Sequence, residues 1–551
     1  MKRLTLLLAV VAVSACAPSV TTTTSPAAAT ASVERMAKDV QTVASDAFLG
    51  RGPATPGEEL TINYLVAQLK AAGLEPGVNG SWFQDVPLLQ ADIVGAPSLT
   101  VNVAGKRMDL KQGEQIAVRA SMRNVDRVTF TGPLVFLGYG VKATERNWDD
   151  FKGADLRGKI GVVLINDPDF ETGQGDFGGK AMTYYGRWTY KYEEAARQGL
   201  NGLLIVHETA PASYGWPTVK NSNTNTMFDI VRTNPAEVHP PLEGWIQRDF
   251  AVELFRAAGQ DFDALKRQAQ TREFRPVPLG DATFAANYTV TSRTIRSKNV
   301  LGRVPGTTHA NETILYGAHW DHLGIGPPDA RGDSIYNGAI DNGTGIAAVL
   351  ELARLFKAGP RPQRTIVFAF WTAEEKGLIG SEYYAANPVY PLETTVAGFN
   401  IDALAVTGRA RDVLVVGSGQ SDLDDRLKSV LAASNRVITP DPTPEAGYFF
   451  RSDHFPMAKR GVPMLYMDSG IDLLVGGTAA GRAADTEYRR DAYHQPADNY
   501  DPAKWSFAGI ADDVNILYAM GLQLANSRDW PNYRTTSEFR PARDKSVSSR
   551  K

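Results

Sequence analysis

Two hydrophobic rhythms alternate along most of this chain. In the first, apolar residues recur every three or four positions, as in "SVERMAKDVQTVASDAF" and "TPGEELTINYLVAQLKAAG" near the N-terminus. That spacing predicts amphipathic helices. In the second of these, Thr55 is the expected N-cap, Pro56 the first helical residue and Gly73 the stop, with Leu60, Tyr64, Leu65 and Leu69 on one face. The second rhythm is a short unbroken apolar run. From about residue 290 such runs come in series: "NVLGRVPG", "TILYGAH", "RTIVFAFWT", "TTVAGFNID", "RDVLVVGS" and "VPMLYMD". Between and after them lie the helical segments "GIAAVLELARLFKAG", "SDLDDRLKSVLAAS" and "FAGIADDVNILYAMGLQLANS". Strands that are apolar throughout are buried on both faces. Their alternation with helices predicts an α/β fold with a mixed, mostly parallel central sheet and helices on both faces.

Residues 125–285 have a different texture. "DRVTFTGPLVFLGYGV" and "GKIGVVLIND" read as strands, and "KYEEAARQGLNGLLIVHE" as a helix, a glycine stop and another strand. The segment resembles the protease-associated domain, a small β-rich module inserted in exported peptidases. It carries no charged constellation that suggests chemistry, and His207 and His239 read as structural. The expected organisation is a signal peptide (1–16), a flexible tether (17–32), a peptidase-type domain in two parts (33–124 and 286–530) around the insertion (125–285), and a tail (531–551).

The N-terminal segment changes the picture of where the protein works. "MKRLTLLLAVVAVSAC" has a basic start, a short apolar stretch and small residues before a cysteine. That is an export signal, too short to span a bilayer. Cys16 is the only cysteine of the 551 residues, so internal disulfides are excluded. The ending Val13-Ser14-Ala15-Cys16 resembles a lipobox, with Cys16 as the lipidation site. Ordinary cleavage without lipid is the alternative. The expectation is a lipoprotein of the outer membrane facing the periplasm, or a periplasmic or secreted protein, touching the membrane through a lipid anchor only. The net charge of -3 leaves no basic face, so nucleic acid is not an expected partner.

Candidate chemistry gathers where the apolar runs stop. His319 and Asp321 follow "TILYGA", Asp341 opens the helix after "YNGAI", Glu374 and Glu375 follow "TIVFAFWTA", and Asp402 follows "TVAGFNI". Loops at the carboxyl ends of parallel strands converge on one crevice. Carboxylates packed there repel one another unless divalent cations relieve them. Imidazole with carboxylate oxygen suits zinc, and the lack of further thiols excludes a cysteine-type zinc site. "DAYHQPADNY" adds His494 as a further ligand candidate. Taken singly, Asp341 also reads as a helix N-cap, and the glutamate pair as a solvated helix start.

The ordered motifs "HWD", "DNGTG", "AEEKGLIGS", "NID", "SDHFPMAKRGVP" and "YHQPADN" together resemble the di-zinc exopeptidases of the aminopeptidase Y and glutamate carboxypeptidase type. The transferrin receptor shares that architecture. "DAFLGRGPATPGEE" resembles the N-terminal segment of the family. The resemblance implies two Zn2+ ions: His319 and Asp402 on one, Glu375 and His494 on the other, Asp341 bridging. It implies Glu374 as general base, Asp321 behind His319 fixing its ring, and His322, Asp453 and His454 as neighbours. It also implies a tyrosine just before S-D-H to stabilise the tetrahedral intermediate. Phe449 stands there, which makes Tyr448 beside it the candidate. The implied activity is hydrolysis of terminal bonds in peptide substrates, as an aminopeptidase. A carboxypeptidase, a glutaminyl cyclase or a non-catalytic receptor-like protein is the alternative.

Overall fold

The computed structural model describes residues 30–550 apart from residue 327. The segment read as an export signal, Cys16 and residues 17–29 of the expected tether lie outside the described residues. Helix α1 (Val33–Val43) starts at Ser32, whose hydroxyl accepts from the Arg35 amide. Helix α2 (Pro56–Ala71) starts at Thr55, which accepts from the Gly57 amide at 3.2 Å. The face of α2 differs from the expected one at a single position. Its buried stripe is Thr61, Ile62, Leu65, Val66 and Leu69, whereas Leu60 is 44% exposed. Leu60 precedes Ile62 by two residues, about 200° around the helix, so it points away from the core.

The frame is a long antiparallel ribbon of β1 (Phe83–Val103) and β2 (Val277–Val304). One end of β2 pairs with β4 (Arg364–Trp371), the other with the strand Arg127–Phe136. One continuous sheet therefore serves two cores. On the first side, with β3 (His309–His319), β5 (Thr395–Asn400), β6 (Asp412–Val416), β7 (Val437–Pro440) and β8 (Met464–Ser469), the order is β7-β6-β8-β5-β3-β4-β2. The β3–β4, β3–β5, β5–β8 and β6–β7 pairs are parallel; β2–β4 and β6–β8 are antiparallel.

The unbroken apolar runs have a physical cause. Ile314, Tyr316 and Ala318 of β3 face a core shared with α1, α2, α3 (Gly345–Ala358) and α4 (Ala508–Ala525). Leu315, between them, faces a second core with Val367, Trp371 and Met464. Both faces of the sheet are covered, so alternate residues go to opposite cores, and Ile314–Ala318 carries no charged side chain. Among the described residues no helix is long and apolar enough to cross a membrane.

On the other side of the ribbon, strands Arg127–Phe136, Ile160–Leu164, Gly202–His207 and Leu242–Gln247 follow one another in parallel. Helices Trp188–Arg197 and Arg248–Ala257 belong to this half. Its core also takes in Leu99, Val101, Leu110, Ile116 and Val118, all upstream of residue 125. Packing of this second unit thus begins within β1. His239 is held inside it, 2.6 Å from Glu243 and 2.8 Å from Asp229. His207 bonds the Tyr214 carbonyl at 2.9 Å.

Candidate metal centre

Three neighbouring parallel strands stop at one edge. In register, His319 at the end of β3 lies opposite Trp371 at the end of β4, and Gly317 lies opposite Asn400 at the end of β5. The chain beyond β4 turns through Ala373 in the left-handed region and delivers Glu374 and Glu375. Beyond β5 it delivers Asp402, and Asp341 arrives from the kinked turn ahead of α3. Asp341 is extended there and makes no cap bond, so the N-cap reading does not hold.

The side chains meet. His319 Nε2 lies 3.2 Å from Asp341 Oδ1 and 3.3 Å from Asp402 Oδ1. His494 Nε2 lies 3.2 Å from Asp341 Oδ2 and 3.1 Å from Glu375 Oε2. Each half of the cluster thus has one imidazole and one carboxylate of its own, and the two oxygens of Asp341 serve both. Zinc bonds of about 2.0–2.2 Å put neighbouring tetrahedral ligands about 3.4 Å apart. The donor separations match that edge, and one donor atom from each of His319, Asp341 and Glu375 lies within 4.8 Å of the others. The residues present therefore fit metal, and the imidazole–carboxylate chemistry fits zinc.

Asp321 is fully buried behind His319. Its backbone carbonyl lies 3.1 Å from Nδ1 and its carboxylate 3.7 Å, while that carboxylate accepts from the Glu374 amide at 3.0 Å. It ties the His319 loop to the glutamate loop. His322 is buried too, with Nδ1 2.6 Å from Glu375 Oε1, which leaves Oε2 toward His494. Asp453 and His454 are buried, Asp453 accepting from Ser381 at 2.6 Å.

Several groups that shape the cluster carried little sequence signal. Arg51 is fully buried, and its guanidinium donates to the carbonyls of Trp320, Val43, Asn337 and Gly338 at 2.9, 3.1, 2.5 and 2.9 Å. It joins the His319 and Asp341 segments. The Asp498 carboxylate accepts from the Ile340 and Asp341 amides at 3.0 and 3.1 Å. The Asn342 side-chain oxygen accepts from the Gly345 and Ala403 amides. Ser452 donates to Asp402 Oδ2 at 2.6 Å. Tyr493 stacks on His494, with ring centroids 3.9 Å apart. Tyr448, the sequence candidate beside Phe449, has the guanidinium groups of Arg451 and Arg489 against its ring, at 5.3 and 5.2 Å.

Charge follows from burial and crowding. Burial opposes a proton charge on His319, but Asp402 and Glu374 outweigh it and hold the ring well above the usual imidazole range. His494, half-buried, is pushed up to about 10 by Glu375 and Asp341, against the desolvation that opposes its charge. Burial raises Glu374 well above the carboxylate range, against the pull of His319, and Asp402 and Glu375 push it the same way. Burial acts on Glu375 too, but His494 and His322 draw it well below. The adjacent glutamates are thus set in opposite directions, the pattern of one ligand and one base.

Residues 299–519 match the model of peptidase family M28. That segment, about two fifths of the chain, is similar to a family M28 peptidase domain. The chain is 27% identical over 252 residues to "Probable lipoprotein aminopeptidase LpqL" of Mycobacterium tuberculosis, covering 42% of this chain and 47% of that protein. It is 31% identical over 230 residues to "Leupeptin-inactivating enzyme 1" of Streptomyces exfoliatus, covering 39% and 47%. The chain thus spans about half the length of these curated relatives. Among solved structures, an aminopeptidase from Aneurinibacillus sp. strain AM-1 is similar with a TM-score of 0.48 and 18% identity, over 91% of this chain and 95% of that one.

Proposed function

We propose that this protein is an exported zinc metallo-exopeptidase that removes residues from the amino ends of peptides. The observation that carries the reading is Asp341 shared between two imidazole–carboxylate pairs, with a second glutamate left over beside them. His319, Asp341 and Asp402 would hold one zinc ion and His494, Asp341 and Glu375 the other. When bound, such a pair polarises the scissile carbonyl and lowers the pKa of water toward neutrality.

The chain's own residues do the rest. Glu374, raised by burial, takes the proton of the attacking water and passes it to the leaving amine. Asp321 positions both the His319 ring and the Glu374 amide. Tyr493, 39% exposed, is held above its usual range by the crowding around it and by Asp341 and Glu375. Its stacking on His494 supports a role as donor to the oxygen that gains charge as the carbonyl becomes tetrahedral. Export and attachment through Cys16 rest on the N-terminal segment, supported by the lipoprotein in the name of the Mycobacterium tuberculosis relative.

The test is cleavage of unblocked and N-blocked peptides by the purified full chain, with and without chelator, beside elemental analysis. The expected result is about two zinc ions per chain and chelator-sensitive release of N-terminal residues from unblocked peptides alone. Metal-free protein with no such cleavage would end the reading.

A further inference from the structure

The glutamate pair sits on a turn that its own residues do not favour. Ala373, just before Glu374, has φ 53°, and Leu378, three residues past Glu375, has φ 61°. An L-residue in that region crowds its Cβ against the backbone, and the shape persists only where the surroundings impose it. The Gly377 and Leu378 amides donate to the Glu374 carbonyl at 2.8 and 2.9 Å, and the Ile379 amide to the Ala373 carbonyl at 3.1 Å. These bonds close the turn on itself.

The packing behind the turn comes partly from the second unit. Ala373 is fully buried in a small cluster with Val86 and Leu88 of β1, Ile379, and Ile230 of the strand Met227–Ile230. That strand runs antiparallel to β1, with Ile230 opposite Leu88 and Met227 opposite Ala91. Its side chains alternate between two faces. Met227 goes to the core of the second unit, while buried Ile230 and half-buried Phe228 go to the Ala373 cluster. The Phe228 ring also meets Lys376, whose Nζ lies 5.9 Å from the ring centroid. Just past the strand, Arg232 forks onto Asp229 at 2.7 and 3.0 Å. It also lies 3.6 Å from Glu382 on the helix Ile379–Ala386 that leaves the turn. Glu382 is paired in turn with Arg460 at 2.8 Å. The turn is thus gripped below Ala373, at Lys376 and along the helix that follows.

We propose that Phe228 and Ile230 are positioning residues that brace the turn presenting Glu374 and Glu375, so that the second unit serves the reaction by holding the general base. The effect on turnover rests on the exopeptidase reading; the brace itself does not. Without Ile230 the left-handed Ala373 loses a wall, its backbone relaxes toward the commoner regions, and Glu374 moves off the water it deprotonates.

Two measurements on the full chain test the brace. Hydrogen exchange read by mass spectrometry reports the turn without turnover. In Ile230→Ala and Phe228→Ala the amides of residues 374–380 should exchange about 10-fold or more faster than in the wild type, while those of β5 keep the wild-type rate. In steady-state cleavage of Ala-Ala-Ala, kcat should fall about 10- to 100-fold, the cost of a misplaced catalytic group, with KM close to the wild type. Ile230→Val keeps most of the volume, recovers most of kcat, and serves if Ile230→Ala does not fold. Leu254→Ala is the control, since Leu254 is fully buried in the core of the second unit and outside the Ala373 cluster. It leaves both readouts as in the wild type, and Leu254→Val replaces it if it does not fold. Unchanged exchange at 374–380 in both alanine variants, a loss that falls on KM instead of kcat, or an equal loss in the Leu254 control overturns the brace. Faster exchange in variants of a protein that cleaves no peptide even as wild type supports the brace and counts against the exopeptidase reading alone.

Discussion

Replacing Arg51 by methionine isolates one physical effect. Methionine keeps most of the unbranched stem, so little volume is lost, but every donor goes. Three buried carbonyls, those of Trp320, Val43 and Asn337, would then face no partner, and Gly338 would keep only the Gly343 amide. An unsatisfied buried acceptor costs about 1–3 kcal/mol. The simple sum overstates the loss, because the desolvation of a buried guanidinium is recovered when it is removed. The nearby acids Asp498 and Asp341 also lose a favourable charge. A net loss of about 3–5 kcal/mol results, the range seen when one member of a buried charged network is deleted. That is a large share of the roughly 5–15 kcal/mol that holds a domain folded. Urea unfolding followed by tryptophan fluorescence is the assay, with and without chelator, since a chelator-sensitive transition would report the half that carries the ligand cluster. Arg51→Met should lower the midpoint of that transition and reduce retained zinc, because the same side chain fixes the His319 and Asp341 segments. Arg51→Lys, with the charge but not the fork, should fall between. An Arg51→Met protein with unchanged midpoint and metal content would refute the reasoning.

Glu374→Gln removes the base but no ligand, so turnover should fall by about 10²–10⁴-fold while zinc content, measured by elemental analysis, stays as in the wild type. His239 is buried, which disfavours its charge, but Glu243 and Asp229 overcome this and raise it to about 9. A raised histidine contributes stability that is complete below about pH 6.5 and disappears as pH rises through about 9. The stability gap between wild type and His239→Gln, up to about 3 kcal/mol near pH 6, should therefore close between pH 7 and 10 in urea titrations. Leu65→Ala should cost about 2–5 kcal/mol in the same unfolding assay, whereas Leu60→Ala, on the exposed side of α2, should change stability by less than about 0.5 kcal/mol.

How much of this could be read without coordinates depended on where each residue acts. The ligand candidates were legible because each follows an apolar run, and parallel strands stopping at one edge leave their loops few places to go. His494 was the exception, tied to no strand, and motif order alone pointed to it. The boundary at 125 was harder. In β1, "FQDVPLLQADIVGAPSLTVNV" runs from one core into the other with no turn, so nothing in its composition marks the passage. Leu60 was misplaced because an apolar residue one step off the stripe fits a helical pattern nearly as well as one on it.

Arg51, Asp498 and Asn342 illustrate a different limit. They act on backbone groups, and a carbonyl or amide leaves no letter in the sequence. Asp498 holds the amides of Ile340 and Asp341, while Arg51 draws in the carbonyls of Asn337 and Gly338. The shared aspartate is thus held through its main chain by an acid on one side and a base on the other. This leaves both its oxygens free to face His319 and His494. A carboxylate that must serve two ions can spend neither oxygen on its own support. The residues that support it therefore had to come from elsewhere in the chain, and had to grip the backbone.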